Sequence, residues 1–171
     1  MMKLSNTLIG KPVFSLRTGR PVATVTAPLI NPNNLKIEGF FCIDSVDRNE
    51  LILLYQDIRE VLPQGFVIDD HAVLAEPGEL IRLKKLIDLR FDVIGKRVVT
   101  VSHKRVGKVT DYATEIETMY IQKLYVGQGL IKGLTGGNLG VDRSQINEIT
   151  NTKIIILDPL EQGTVRATAV A

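Results

Sequence analysis

The sequence predicts a mainly β protein made of two tandem small β-barrels joined by one short α-helix. Three observations support this prediction. Residues 8–16 and 93–101 share glycine and lysine in register, together with the same alternation of apolar side chains. Short apolar runs follow at regular spacing and are separated by Gly, Pro and Asn, which is typical of small closed or sandwich-like β units. A segment with helical periodicity lies between the two copies.

The repeat continues through most of the chain. Val22 and Val25 correspond to Val106 and Val109 once a one-residue slip at Pro21 is allowed. The later matches are Leu35, Ile37, Phe40, Phe41 and Cys42 with Met119, Ile121, Leu124, Tyr125 and Val126, residues 58–61 with 146–149, and residues 66–68 with 154–156. The sequence therefore predicts two copies of one domain. The predicted parts are a first barrel at 1–76, a linker helix at 77–92, a second barrel at 93–162 and a C-terminal tail at 163–171.

The linker helix is predicted from its start signal and its apolar face. Pro77 and Glu79 suit the first turn of a helix, where a missing N–H is tolerated and a carboxylate meets the positive end of the dipole. The apolar face consists of Leu80, Leu83 and Ile87, widened by Ile81, Leu86 and Leu89. A helix that runs to about Arg90 is marginal alone in water, so we expect this face to pack on one barrel, on both barrels or on a partner.

Composition excludes several classes of protein. With 44% hydrophobic and 23% charged residues, the chain of 171 residues is globular rather than disordered. Cys42 is the only cysteine, which excludes an intramolecular disulfide and a cysteine metal cluster, and its apolar surroundings predict a buried thiol. The sequence has neither the apolar core of a signal peptide nor a run of about 18 apolar residues, so we expect a cytoplasmic protein without a transmembrane segment.

The basic residues cluster in one stretch. Nine basic and two acidic residues lie between Arg82 and Lys108. The candidate contacts to RNA or another anion are Lys84, Lys85, Lys96, Arg97, Lys104, Arg105 and Lys108. A solvated face of a helix and of strand ends is the alternative interpretation.

No constellation in the sequence predicts catalysis. The run Asp69-Asp70-His71 holds two carboxylates and an imidazole, but successive strand residues point to opposite faces and do not converge on a metal. We therefore expect a solvated turn there. His103 has two basic neighbours, which makes it a poor metal ligand. No catalytic residue, cofactor site or metal site is predicted, and we expect the chain not to be an enzyme.

The second copy carries a glycine-rich insertion at residues 127–140. A phosphate-binding loop requires a following helix, whereas the segment after this insertion has the pattern of a strand. The apolar residues of the insertion form a candidate partner-binding loop and are Leu130, Ile131, Leu134 and Leu139. Whether they fold inward against the barrel or meet a partner stays open at this point.

Four segments of the second copy resemble a known family. They are Ile-Gly-Lys-x-Val at 94–98 and residues 106–111, 121–126 and 142–149. Together they are similar to the PRC-barrel, the fold named after the cytoplasmic domain of the photosynthetic reaction-centre H subunit and found also in the C-terminal domain of RimM. The resemblance covers roughly 8–74 and 93–158. The first copy departs from the pattern at Ala27-Pro28, and we expect Pro28 to break its second strand.

The resemblance implies a small, strongly bent β-barrel that mediates contacts with other proteins and has no shared catalytic residues. Our leading functional hypothesis is accordingly a non-enzymatic adaptor that binds an unidentified protein partner. The alternative is an RNA- or ribosome-associated factor that uses the basic region 82–108. Small-ligand binding or catalysis is a further alternative that the sequence leaves open, and so is homo-oligomerisation.

Overall fold

The computed structural model describes residues 1–128 and 137–158. Among the residues of the predicted partner-binding loop, Leu130, Ile131 and Leu134 lie outside these ranges. The predicted tail at 163–171 also lies outside them. In the described ranges, no helix is long and apolar enough to cross a membrane.

The described residues are mainly β, as the sequence predicts. The first seven strands are β1 (Met2–Leu4), β2 (Pro12–Ser15), β3 (Pro21–Asn31), β4 (Lys36–Asp44), β5 (Glu50–Leu54), β6 (Glu60–Leu62) and β7 (Gly65–Ile68). The α-helix α1 (Lys84–Leu89) follows. The later strands are β8 (Arg97–Thr100), β9 (Arg105–Glu115), β10 (Tyr120–Gly127), β11 (Asn138–Asp142), β12 (Ile146–Ile149) and β13 (Lys153–Ile156).

The chain forms two compact units. The first comprises Met1–Asp92 and Tyr112–Gln122, and the second comprises Val93–Asp111 and the described residues from Lys123 onward. The hairpin made by the end of β9 and the start of β10 therefore belongs to the first unit, although its sequence belongs to the second repeat.

In the first unit, the strands run in the order β10-β4-β3-β2-β7-β6, with β5 paired to the other part of β4. The short strand β1 pairs with the end of β9. The link between β4 and β10 is a reciprocal pair of backbone hydrogen bonds. The Ile37 N–H donates to the Met119 carbonyl at 2.8 Å, and the Ile121 N–H donates to the Leu35 carbonyl at 2.9 Å. Because Leu35 and Ile37 are the repeat equivalents of Met119 and Ile121, this bridge is locally two-fold symmetric.

In the second unit, the strands run in the order β12-β13-β8-β9-β10, with β11 paired to β10. Its buried hydrophobic side chains are aliphatic, because the alternation along each strand directs every second residue inward. The buried members include Val98, Val109, Leu124, Ile154 and Ile156.

The two copies share the same local hydrogen bonds. Gly10 and Gly95 both have φ of 82°, and their N–H groups donate to Val25 and Val109 respectively, each at 2.8 Å. A positive φ of this size favours glycine, which explains why the residue recurs in register.

The equivalent strands also pair alike. The β2–β3 ladder shifts register between Val13 and Phe14, and the β8–β9 ladder shifts at the equivalent step, Val98 to Val99. The parallel pairs β2–β7 and β8–β13 occupy the same positions in the repeat. The sequence repeat is therefore a repeat of structure. The strand path in the described residues is open and is not closed into a barrel.

The linker helix is shorter than the sequence predicts. Residues Pro77–Glu79 and Ile81–Leu83 form two 3-10 turns, and only Lys84–Leu89 is α-helical. The break falls at Leu80, whose φ of −94° and ψ of 72° lie outside the helical region. The helix ends at Arg90, which has a left-handed backbone conformation with φ of 47°.

The prediction that Pro28 breaks its strand is wrong. The strand β3 is continuous from Pro21 to Asn31, and Pro28 pairs with Phe40 of β4. Beyond Thr24, β3 no longer pairs with β2. On that side of the strand, β2 therefore does not need the backbone N–H that Pro28 lacks. A register shift between Val25 and Ala27 also precedes the proline and admits it to the strand.

Candidate functional site

The segment between the two repeats builds a groove on the first unit. Its buried anchor is Ile87, which packs with Leu29, Phe41 and Ile52. Leu80, Leu83 and Leu86 pack against the same cluster. Four members of the predicted apolar face therefore pack against the protein's own core.

One apolar residue of this segment points away from the core. Ile81 lies between two packed leucines, yet it is 85% exposed. The 3-10 geometry at Ile81–Leu83 rotates successive side chains differently from an α-helix, so Ile81 does not join the stripe that the sequence predicts. Leu89, the last member of that predicted stripe, is also exposed.

Ile81 stands at the edge of a groove of about 420 Å³. The apolar lining comes from Leu54, Tyr55, Leu80, Ile81 and Leu83. Polar side chains from Glu38, Gln56, Glu79 and Arg82 complete it. A concave apolar floor with polar groups around it is the usual anatomy of a binding surface.

Tyr55 is held in place by a cation–π contact. The Nζ atom of Lys36 lies 4.0 Å from the centre of the Tyr55 ring and 5.7 Å from that of Tyr120. The pKa of Lys36 is raised, chiefly by its hydrogen bond with the Tyr55 side chain. The charged lysine therefore fixes the ring that forms one wall of the groove. Tyr55 also lines a second groove on the same unit, together with Ile58 and Ile116.

The run Asp69-Asp70-His71 does not converge, as the sequence predicts. The Asp69 carboxylate pairs with Arg59, with Nη2 to Oδ2 at 2.6 Å, and Asp70 pairs with Arg17 at 3.0 Å. His71 instead contacts Asp44. The side chains are therefore engaged in three separate contacts rather than one solvated turn.

The contact between His71 and Asp44 was not predicted from the sequence. Asp44 is buried, and its carboxylate also accepts the N–H groups of Val46 at 2.7 Å and Asp47 at 3.2 Å. The pKa of Asp44 is lowered, first by the hydrogen bond with His71 and then by the Val46 N–H. This cluster joins the end of β4 to the segment after β7. Among the described residues, no group of three or more His, Cys, Asp and Glu side chains could hold a metal ion.

Cys42 is buried, as predicted. Burial raises the pKa of its thiol to about 12, so the reactive thiolate is absent at neutral pH.

The predicted basic residues divide between the two units. Lys84 and Lys85 lie on α1 in the first unit, where Lys84 pairs with Asp88 at 2.7 Å. The remaining five lie in the second unit and are Lys96, Arg97, Lys104, Arg105 and Lys108. Within this set Arg97 faces Lys108 across β8 and β9, and Lys104 lies 3.8 Å from Asp158. His103 occupies an exposed turn with φ of 65°.

Leu139 is not part of a loop. It lies in β11 opposite Val126 of β10 and is half-buried. The strand forms because residues 138–142 continue the sheet beyond β10, and this shortens the predicted loop. The sequence signals that would have found the groove are weak. Tyr55 and Lys36 are distant in sequence, so their contact leaves no local pattern. Ile81 fits the helical period as well as its packed neighbours do, so the period does not predict that Ile81 is exposed.

No protein-family model matches the chain, and no curated protein matches it in sequence.

Proposed function

We propose that this chain is a non-catalytic protein–protein interaction module built from two PRC-barrel-like repeats. The resemblance of 94–98, 106–111, 121–126 and 142–149 to that family supports the proposal. The shared strand pairing of the two copies supports it as well. Cys42 is buried and forms no disulfide, which suits a cytoplasmic location.

The observation that carries the proposal is the exposure of Ile81 beside the groove. A single exposed apolar side chain is common on protein surfaces. Ile81, however, adjoins a concavity whose floor is leucine and whose wall is a fixed tyrosine. Protein interfaces have an apolar core within a polar rim, and tyrosine is among the residues enriched where the binding energy is concentrated.

The occupant that we propose is a segment of another protein that inserts an apolar side chain between Leu54 and Leu83. Glu38, Glu79 and Arg82 border the groove with both signs of charge. Such a mixed border suits the polar groups of a peptide better than it suits a phosphate, which requires a uniformly positive surface.

Crosslinking in cells tests this proposal. The tagged chain is crosslinked to its neighbours and purified, and the bound proteins are quantified for wild type and for Ile81→Ser. We expect Ile81→Ser to reduce the captured partner by about tenfold, because it removes the exposed apolar contact at the edge of the groove. Val46→Ser is the matched control, since Val46 is 92% exposed on the same unit but outside the groove.

Equal capture by wild type and Ile81→Ser contradicts the proposal. The same samples test the alternative of RNA or ribosome association, because nuclease treatment removes RNA-dependent partners and leaves direct protein contacts. A thermal-shift screen against nucleotides and metal ions tests the small-ligand alternative, for which the groove volume is also adequate. Capture of a second copy of the chain would indicate homo-oligomerisation.

A further inference from the structure

The outward face of the second unit carries a row of three cations on neighbouring strands. Lys153 of β13 lies beside Arg97 of β8 in a parallel register, and Arg97 lies opposite Lys108 of β9. The next residues along two of these strands, Ile154 and Val98, are buried, so the cations project from the other face. Because neighbouring strands are about 4.8 Å apart, the three positive charges form one line across the sheet.

Among the described residues, no carboxylate pairs with this row. Arg105, opposite Val99, adds a fourth cation next to it. Within residues 1–128 and 137–158, neither the row nor Arg105 has a carboxylate within ion-pair distance. Like charges directly opposite one another destabilise a sheet. The row is therefore unfavourable for the isolated fold and suits an anionic partner.

The first repeat shows that the fold does not require these charges. Pro12 pairs with Thr24 at the positions of Arg97 and Lys108. Gly65, which precedes Phe66 in β7, stands at the position of Lys153. The same strand arrangement therefore forms with three uncharged residues, and the cations are a property of the second copy alone.

The surroundings of the row indicate which anion it fits. Two residues further along their strands, Val99 and Ile155 lie side by side and are half-buried on the same face. Glu148 lies opposite Ile155 and limits the cationic surface on the side of β12. Proteins that bind single-stranded nucleic acid combine cations with aromatic stacking surfaces, whereas the row here is flanked by aliphatic side chains.

We propose that Lys153, Arg97 and Lys108, with Arg105, form a docking surface for an acidic segment of a partner protein. The segment is extended, its carboxylates meet the cationic row, and its apolar side chains cover Val99 and Ile155. This inference rests on the proposed function, because it assigns the chemistry of a protein partner. It concerns a different surface from the groove beside Ile81.

Fluorescence anisotropy with a defined probe tests the inference on the full chain. The probe is a labelled peptide of alternating glutamate and valine, and the comparison peptide replaces each glutamate by lysine. We expect the acidic peptide alone to bind. The double variant R97E/K108E should weaken this binding by about tenfold or more, because it reverses the field of the row. The variant K84E/K85E changes the net charge equally on α1 and should change the affinity by less than about twofold.

A single substitution separates a folding defect from a binding defect. Arg97→Glu introduces a carboxylate between two lysines, so we expect its melting temperature to equal or exceed that of wild type while peptide affinity falls. Peptide binding that is unaffected by R97E/K108E, or weakened equally by K84E/K85E, overturns the inference. Tighter binding of a labelled polyuridylate, also lost in R97E/K108E, overturns it in favour of RNA.

The variant Ile81→Ser distinguishes a failure of the acidic-segment inference from a failure of the proposed function. If Ile81→Ser abolishes capture of the cellular partner while R97E/K108E changes neither capture nor peptide binding, the proposed function stands and the acidic-segment inference falls. If no protein partner is captured by wild type, both fall.

Discussion

At the scale of single residues, Thr114 is a polar residue in an apolar position. Its side chain is fully buried in β9, and its hydroxyl makes no hydrogen bond among the described residues. The equivalent residue of the first copy is Ile30, a buried hydrophobe. We predict that Thr114→Val raises the free energy of unfolding by about 1 kcal/mol, because it removes an unsatisfied polar group at nearly constant volume.

Urea unfolding monitored by circular dichroism measures this change. The control is Thr26→Val, since the Thr26 hydroxyl donates to the Phe41 carbonyl at 3.2 Å and its removal should not stabilise the fold. A lower unfolding midpoint for Thr114→Val than for wild type would show that the hydroxyl is satisfied.

Asp44 makes stability dependent on pH. Its pKa is lowered from the ordinary value of 3.8 by His71 and by the N–H groups of Val46 and Asp47. Because the folded pKa lies below the unfolded one, the stabilisation is present above pH 3.8 and is lost as pH falls through the lower folded value. We predict that Asp44→Asn lowers stability at pH 7 by about 2 kcal/mol and makes stability less dependent on pH over the acid range.

Urea unfolding of wild type and Asp44→Asn from about pH 2 to about pH 7, on both sides of the ordinary carboxyl pKa of 3.8, checks this prediction. A constant difference between the two proteins over the whole range would show that the carboxylate charge is not the cause.

Among the elements, the segment that builds the groove has one residue that we expect to matter for stability and another that we expect to matter for binding. Ile87 is buried in a cluster of four residues, whereas Ile81 is exposed. We predict that Ile87→Ala lowers the free energy of unfolding by about 3 kcal/mol through the cavity it leaves. Ile81→Ala should change it by less than about 0.5 kcal/mol. Chemical denaturation measures both, and a similar loss for the two variants would contradict the assigned packing.

The strand β9 contains a glycine position that has no room for a side chain. Gly107 has φ of 155°, and a Cβ atom there would overlap the Gly127 carbonyl. We predict that Gly107→Ala costs about 2–3 kcal/mol through strain and displacement of β10. Gly78→Ala is the control, because open space surrounds that position. Equal unfolding midpoints for both variants would show that the two strands separate easily.

The accuracy of the sequence predictions differs between elements for physical reasons. Alternation and glycine positions predicted the strands and the repeat, because backbone geometry acts locally on residues such as Gly10 and Gly95. The sequence predicts too long a helix, because the apolar spacing continues through Leu80, where the backbone leaves the helical region. The sequence does not predict a continuous strand through Pro28, because the loss of a pairing partner on one side of β3 depends on the tertiary structure.

The candidate site was less predictable than the fold. The cation–π contact between Lys36 and Tyr55 joins residues from different strands and turns. Arg97 and Lys108 were identified as basic, but their neighbour Lys153 lies outside the basic stretch and joins them only through the parallel register of β13. Such groupings depend on strand order, which one sequence does not encode locally.

At the scale of the whole molecule, the repeat boundary differs from the boundary of the compact units. The first unit includes Tyr112–Gln122, and the Ile37 N–H donates to Met119 within it. We predict that residues 1–92 expressed alone unfold at a lower temperature than the first unit of the full chain, because β1 and the start of β4 lose their partners. Hydrogen exchange should be faster at Ile37 in the fragment. Unchanged exchange there would contradict the assignment of this hairpin.

The proposed binding of another protein through the groove beside Ile81 can be tested in cells. The most direct measurement is site-specific photocrosslinking in cells from a photoreactive residue at position 81, with position 46 as the control and with nuclease-treated and untreated samples. We expect position 81 to give adducts with a specific protein that survive nuclease, and we expect position 46 to give none. Adducts that disappear with nuclease, or that are the same from both positions, would contradict it.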